Sequence, residues 1–120
     1  MYNITHLSQV EIVDYGNMIG LRTNERDGTI YSFVPRSGGW QYGHRLYDLF
    51  SLPPLINGAK RSLLLGVGAG TIPLLHKELN PSLVIAGVEI DPAIIDLGNE
   101  FFGLRDSKNI SRIIIEDARP

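Results

Sequence analysis

Leu63-Leu64-Leu65-Gly66-Val67-Gly68-Ala69-Gly70-Thr71 constrains this chain more than any other stretch, because an apolar run breaks abruptly into alternating glycines. Such a run reads as a buried strand, and the glycines permit a tight turn with close backbone approach. Two more apolar runs follow and also end on acids: Val88-Glu89-Ile90-Asp91-Pro92 and Ile113-Ile114-Ile115-Glu116-Asp117-Ala118. From Arg61 onward the pattern alternates strand, helix, strand, helix, strand. The strands are continuous in apolar residues, which predicts a parallel sheet with helices covering both of its faces. The fold class is α/β. The second of these helices is sharply marked, since Asp91 can cap it, Pro92 suits its first position, and Ile94, Ile95, Phe101 and Phe102 form an inward stripe.

Upstream the periodicity changes near Arg36. Val10-Glu11-Ile12-Val13-Asp14, Met18-Ile19-Gly20-Leu21-Arg22 and Thr29-Ile30-Tyr31-Ser32-Phe33-Val34 are short strand-like runs separated by turn residues, which predicts a small antiparallel meander. A meander of this size is marginal alone and is expected to pack on the α/β half or on a second subunit. A glycine-rich connector follows, and His44 to Ile56 reads as a helix with Leu46, Leu49, Phe50 and Leu52 on one side, ended or kinked by Pro53-Pro54. The expected organisation is a meander over residues 1–35, a connector and helix over 36–60, and an α/β half-domain over 61–120.

Composition removes several function classes. The chain has 120 residues, 43% of them hydrophobic and 20% charged, an ordinary globular composition with room for about one domain. Net charge is −2, with Lys and Arg scattered, so no basic face tracks phosphates and nucleic acid is not an expected partner. No apolar run approaches the roughly 20 residues that span a bilayer, so no membrane partner and a cytoplasmic location are expected. Cysteine is absent, which excludes disulfides and thiol chemistry, and the dispersed His6, His44 and His76 make no metal motif.

The glycine loop has a structural reading, tight packing, and a ligand reading. A dinucleotide fingerprint requires glycine where this chain has Thr71, and no Lys-Ser or Lys-Thr follows as in a Walker loop. A loop of this kind at a helix N-terminus can instead face a zwitterionic tail through free N–H groups. Glu89, nineteen residues after Gly70, can accept from a ribose diol, or it is simply a loop acid. Asp117 can accept from an exocyclic amine beside the small Ala118, or it is an ordinary surface acid. Tyr47 reads first as a packing aromatic.

In this order the residues resemble the cofactor half of class I S-adenosylmethionine-dependent methyltransferases, with their Rossmann-like sheet. The chain is similar more narrowly to the spermidine synthase-like branch, because Gly39-Trp40-Gln41, Tyr47-Asp48 and Ser51-Leu52-Pro53-Pro54-Leu55 precede the glycine loop in that branch's order. The resemblance implies a transferase of polyamine or methyl-transfer chemistry. Its cofactor would be S-adenosylmethionine or decarboxylated S-adenosylmethionine, and its product S-adenosylhomocysteine or methylthioadenosine. Gly66, Gly68 and Gly70 would line the methionine-derived tail, Glu89 would bind the ribose, Asp117 the adenine amine with Ala118 beside the base, and Gln41 would touch the cofactor from the other side. The acceptor would be a small molecule. The loop lacks the acid of polyamine synthases, and no Asp-Glu pair precedes Tyr47, so methyl and aminopropyl transfer both stay open.

The sequence ends at Arg119-Pro120, before the fourth strand whose Asp acts in the resembled family. The expectation is a fragment, or a half-domain that pairs with itself as a homo-oligomer, and no catalytic residue can be named. A strand order of third, second, first would leave Leu63-Leu64-Leu65 at an open edge. Two rival functions remain: a non-catalytic nucleoside-binding or assembly module, and an NAD-linked oxidoreductase.

Overall fold

A computed structural model describes residues 2–6, 10–23, 27–37 and 46–120. Strands β1 (Tyr2–His6), β2 (Val10–Asp14), β3 (Met18–Thr23) and β4 (Ile30–Pro35) form an antiparallel sheet in that order. The β2–β3 hairpin turns at Gly16, whose φ is 88°, while the Asp14 carboxylate accepts the Gly16 N–H at 2.7 Å. Directly opposed in register, Glu11 and Arg22 form a cross-strand ion pair. The first strand has no counterpart in the sequence reading, because one isoleucine among polar residues leaves no alternating pattern to see.

The segment before the glycine loop departs from expectation. Leu46–Ser51 is a 3-10 turn and α1 spans Leu52–Asn57, so Pro53-Pro54 lies in the first turn of a helix rather than at the end of one. The missing N–H groups of proline cost nothing there, because first-turn donors have no intrahelical partner. Leu46, Leu49, Phe50 and Leu52 are all exposed, and Ser51 and Pro54 are the buried residues.

The parallel half follows the predicted order. Strands β5 (Arg61–Leu65), β6 (Val84–Glu89) and β7 (Ile110–Ile115) lie side by side in sequence order, linked by α2 (Thr71–Leu79) and α3 (Pro92–Phe101). Asp91 caps α3 by accepting the Ala93 N–H at 2.9 Å, with Pro92 in the first turn. Two-sided coverage of the sheet is corrected: Leu63 and Leu65 are 62% and 59% exposed on β5. Crossovers of one hand that step in one direction put both helices on the same face. Alternate residues of β5 therefore point to an open face, and β5 is an edge strand in this three-stranded sheet.

The meander packs on the α/β half. Val10, Ile12 and Leu21 from its inner face join Ala69 of the glycine loop with Leu97 and Phe102 in one core, and Phe33 meets Leu75 of α2 in another. Leu97 and Gly98 are the buried residues of α3, while Ile94 and Phe101 flank that core half-buried. Among the described residues no helix is long and apolar enough to cross a membrane.

His76 ties α2 to the 3-10 turn. Its Nε2–H donates to the Phe50 carbonyl at 3.1 Å, and its buried Nδ1 has no partner among the described residues. Burial pushes the imidazole below its ordinary value of 6.5, partly opposed by the Phe50 carbonyl. The unfolded chain takes up this proton first as pH falls. The contribution of His76 is therefore complete above about pH 6.5 and is lost as pH drops through the lower folded value. Urea midpoints measured from about pH 7 to 5 are expected to fall, and to fall less steeply in His76→Phe; parallel profiles would show that another group titrates.

Candidate functional site

The site is built where the parallel strands end. Gly66 and Val67 both donate to the Val88 carbonyl, at 2.8 and 3.2 Å, which turns the chain sharply off β5. Gly66, Gly68 and Gly70 have φ of 87°, 58° and 106°, a left-handed run that only glycine adopts cheaply. Glu89, 7% exposed at the end of β6, faces this turn. Its Oε2 accepts the Gly68 N–H at 2.9 Å, and its Oε1 accepts those of Ile90 and Asp91 at 3.0 and 3.2 Å. The carboxylate thus fastens the glycine loop to the start of α3.

The meander reaches the same loop from the other side. Ser32 Oγ accepts the Ala69 N–H at 2.9 Å. Thr71 Oγ1 accepts the Phe33 N–H at 2.8 Å and donates to the Phe33 carbonyl at 3.1 Å, so one hydroxyl continues the edge of β4 as a strand would. Tyr47 packs edge-on against Phe33 with ring centroids 5.3 Å apart, and its hydroxyl donates to the Tyr31 carbonyl at 2.6 Å.

Two cavities flank Glu89. The larger, about 720 Å³, lies between the meander and the loop, with Tyr31, Ser32, Tyr47, Gly68 and Thr71 in its wall. The smaller, about 350 Å³, lies at the strand ends between Gly66, Val88, Glu116, Asp117 and Ala118. Gly66, Glu89 and Ile90 line both. These are volumes typical of small-molecule sites.

No family model matches the chain. It is 44% identical over 57 residues to the "Probable polyamine aminopropyl transferase" of Bifidobacterium longum, covering 47% of this chain and 13% of that protein. It is 32% identical over 69 residues to the eEF1A lysine and N-terminal methyltransferase of Bos taurus, covering 48% of this chain and 10% of that one. A solved structure, a probable spermidine synthase from Corynebacterium glutamicum, matches with a TM-score of 0.66 at 16% identity, over 98% of this chain and 44% of that chain. These matches, over part of the chain, fit the S-adenosylmethionine-dependent methyltransferase superfamily and are spermidine synthase-like. The chain spans less than half the length of each of these relatives.

The residues singled out in the sequence divide into groups. Gly66, Glu89, Asp117 and Ala118 meet in the smaller cavity, and Gly68 lies with Glu89 in the larger one. Gly70 lines neither; it heads α2 and faces Leu104, whose Cδ1 would stand 2.9 Å from a Cβ there. Gln41 lies outside the described residues. Asp117 is exposed, and Arg119 binds its carboxylate at 2.6 Å and holds it below the usual carboxylate range. The free N–H groups expected along the loop are largely engaged, those of Gly68 and Ala69 by Glu89 and Ser32. Ser32 escaped the sequence reading because nothing local marks a serine in a strand as the partner of a loop 37 residues away.

Proposed function

We propose that this chain carries the cofactor side of a transferase that uses S-adenosylmethionine or its decarboxylated form and acts on an amine or another small nucleophile. The observation that carries this is the state of the glycine loop. A pyrophosphate needs unspent N–H groups at a helix N-terminus. Here the Gly68 and Ala69 donors are occupied, one of them by a carboxylate. Glu89 and Asp91, both in the wall of the larger cavity, favour a cation over a dianion. That argues against the NAD-linked alternative and for a sulfonium nucleoside.

In this reading Gly66 and Gly68 run along the tail, and Glu89 accepts from the ribose. Asp117 turns from Arg119 to the adenine amine over Ala118. The bound cofactor supplies an activated carbon on positively charged sulfur. The work of the chain is alignment: the walls of the larger cavity hold an acceptor against that carbon and keep water away. As the acceptor's lone pair forms its bond, the carbon–sulfur bond breaks, and an amine acceptor must pass a proton to a base.

Calorimetry with methylthioadenosine and NAD tests the reading. Methylthioadenosine is expected to bind the tighter of the two, and tighter NAD binding overturns the proposal. Homo-oligomerisation belongs to the same proposal and is supported by the exposed Leu63 and Leu65 on β5.

A further inference from the structure

The outer edge of the parallel sheet carries unspent backbone groups. The Val84 N–H donates to the Lys60 carbonyl at 3.0 Å and the Gly66 N–H to the Val88 carbonyl at 2.8 Å, so Ser62 and Leu64 between them also face β6. Arg61, Leu63 and Leu65 therefore turn their N–H and C=O groups away from β6, and among the described residues no strand receives them. Such an edge is a template for another strand. It has apolar surface on both sides. The exposed side chains of Leu63 and Leu65 lie on one, and on the other a groove of about 530 Å³ separates β5 from α1, whose Leu52, Leu55 and Ile56 are exposed too.

This edge is complementary to its own copy. A two-fold interface must bring each residue to its reciprocal, and an antiparallel pair centred on Leu63 does so: Leu63 meets Leu63, and Arg61 meets Leu65 on either side. These are the residues with outward backbone groups, so each pair exchanges both of its hydrogen bonds. Their side chains share the open face, where leucine packs on leucine at the axis and the stem of Arg61 covers Leu65. The charges agree as well. Lys60 and Arg61 begin the strand, while Glu89, Glu116 and Asp117 surround the cavity that Leu65 and Gly66 line at its end. Antiparallel pairing sets the basic start of one strand beside the acidic end of the other.

We propose that β5 is a dimer interface, at which two copies of this chain join antiparallel about Leu63 into one continuous sheet and the partner subunit's Arg61 stands beside Leu65 at the smaller cavity. It rests on the homo-oligomerisation proposed above and names the surface and register.

Sedimentation of the 120-residue chain reads the mass, and cross-linking reads the register. The sequence has no cysteine, so a single introduced one reports on its own copy alone. Leu63→Cys is expected to be linked by a short bismaleimide, because the paired Cα atoms stand about 5.5 Å apart. Leu65→Cys is not, because its copy lies more than about 13 Å along the paired strand. Leu63→Lys, at a position 62% exposed, sets two ammonium groups at the axis and is expected to weaken dimerisation at least about tenfold. A monomeric wild type overturns the inference. So does a dimer in which Leu63→Cys fails to link or Leu65→Cys links equally, whether or not Leu63→Lys folds. Unchanged association of a folded Leu63→Lys overturns it too. Methylthioadenosine binding by a monomeric wild type would leave the transferase reading standing without this interface.

Discussion

Replacing Glu89 by alanine is expected to weaken methylthioadenosine binding at least about tenfold and to lower unfolding stability by about 1–3 kcal/mol. The two effects have separate origins. The stability loss comes from the Gly68 N–H, which donates to Oε2 and would be left beneath the meander with no acceptor, and from the Ile90 and Asp91 donors released at the start of α3. The binding loss comes from the ribose, whose hydroxyls would lose a charged acceptor. Oε2 serves one backbone donor, so it retains capacity for a ribose hydroxyl without abandoning the loop. Glu89→Gln separates the roles, since its amide carbonyl can still accept from Gly68 but brings no charge and one oxygen fewer. It is expected to recover only part of the stability, because its NH2 then faces the Ile90 and Asp91 donors, and little of the affinity. Urea unfolding and calorimetry on the three proteins check this; full affinity in Glu89→Ala would reduce Glu89 to a clamp on the glycine loop.

How far such a site can be read from sequence depends on whether the determinants are local. The strand ends were legible because a parallel strand writes itself as a continuous apolar run, and the glycine or acid that stops it is adjacent in sequence. The Asp91-Pro92 start of α3 was legible for the same reason. Pro53-Pro54 was misread because proline has two local meanings, a stop inside a helix and a favourable residue in its first turn, and only the 3-10 geometry of Leu46–Ser51 decides between them. Coverage of the parallel sheet was misread because it depends on the hand of two crossovers rather than on any residue in β5. The direction of Glu89 was also hidden. Its position at a strand end is a matter of sequence, but its turn toward Gly68 depends on a contact 21 residues away. Ser32 and Thr71 are the extreme case, joining the meander to the loop across 37 and 38 residues with no periodic signal.

Gly98 is the other residue at which fold and site are inseparable, and Gly98→Val is expected to cost about 3 kcal/mol, at the upper end of ordinary overpacking. A glycine in the interior of a helix normally forfeits about 1 kcal/mol relative to alanine, so propensity alone predicts that filling this position would stabilise α3. The packing reverses the sign. A Cβ at position 98 would stand 2.9 Å from the Ala69 carbonyl oxygen and 3.2 Å from its Cα, with Leu104 Cδ2 at 2.8 Å. Leu104 can rotate, but the backbone of Ala69 is held by its N–H bond to Ser32 and by the neighbouring Gly68 N–H bond to Glu89. Relief therefore requires α3 to move off the glycine loop, opening the core in which Leu97 and Phe102 pack against Ala69, Ile12 and Leu21. Gly98→Ala is expected to be destabilising by a smaller margin, because its propensity gain offsets part of the same contact. Both variants are also expected to bind methylthioadenosine less tightly, since the displaced residue is the one that carries the loop's Ser32-capped donor. Urea denaturation at constant m-value reads the stability, and calorimetry reads the loop. A Gly98→Ala protein more stable than the wild type would show that α3 can slide away from Ala69 at no cost, and that the close approach is not what holds the glycine loop in shape.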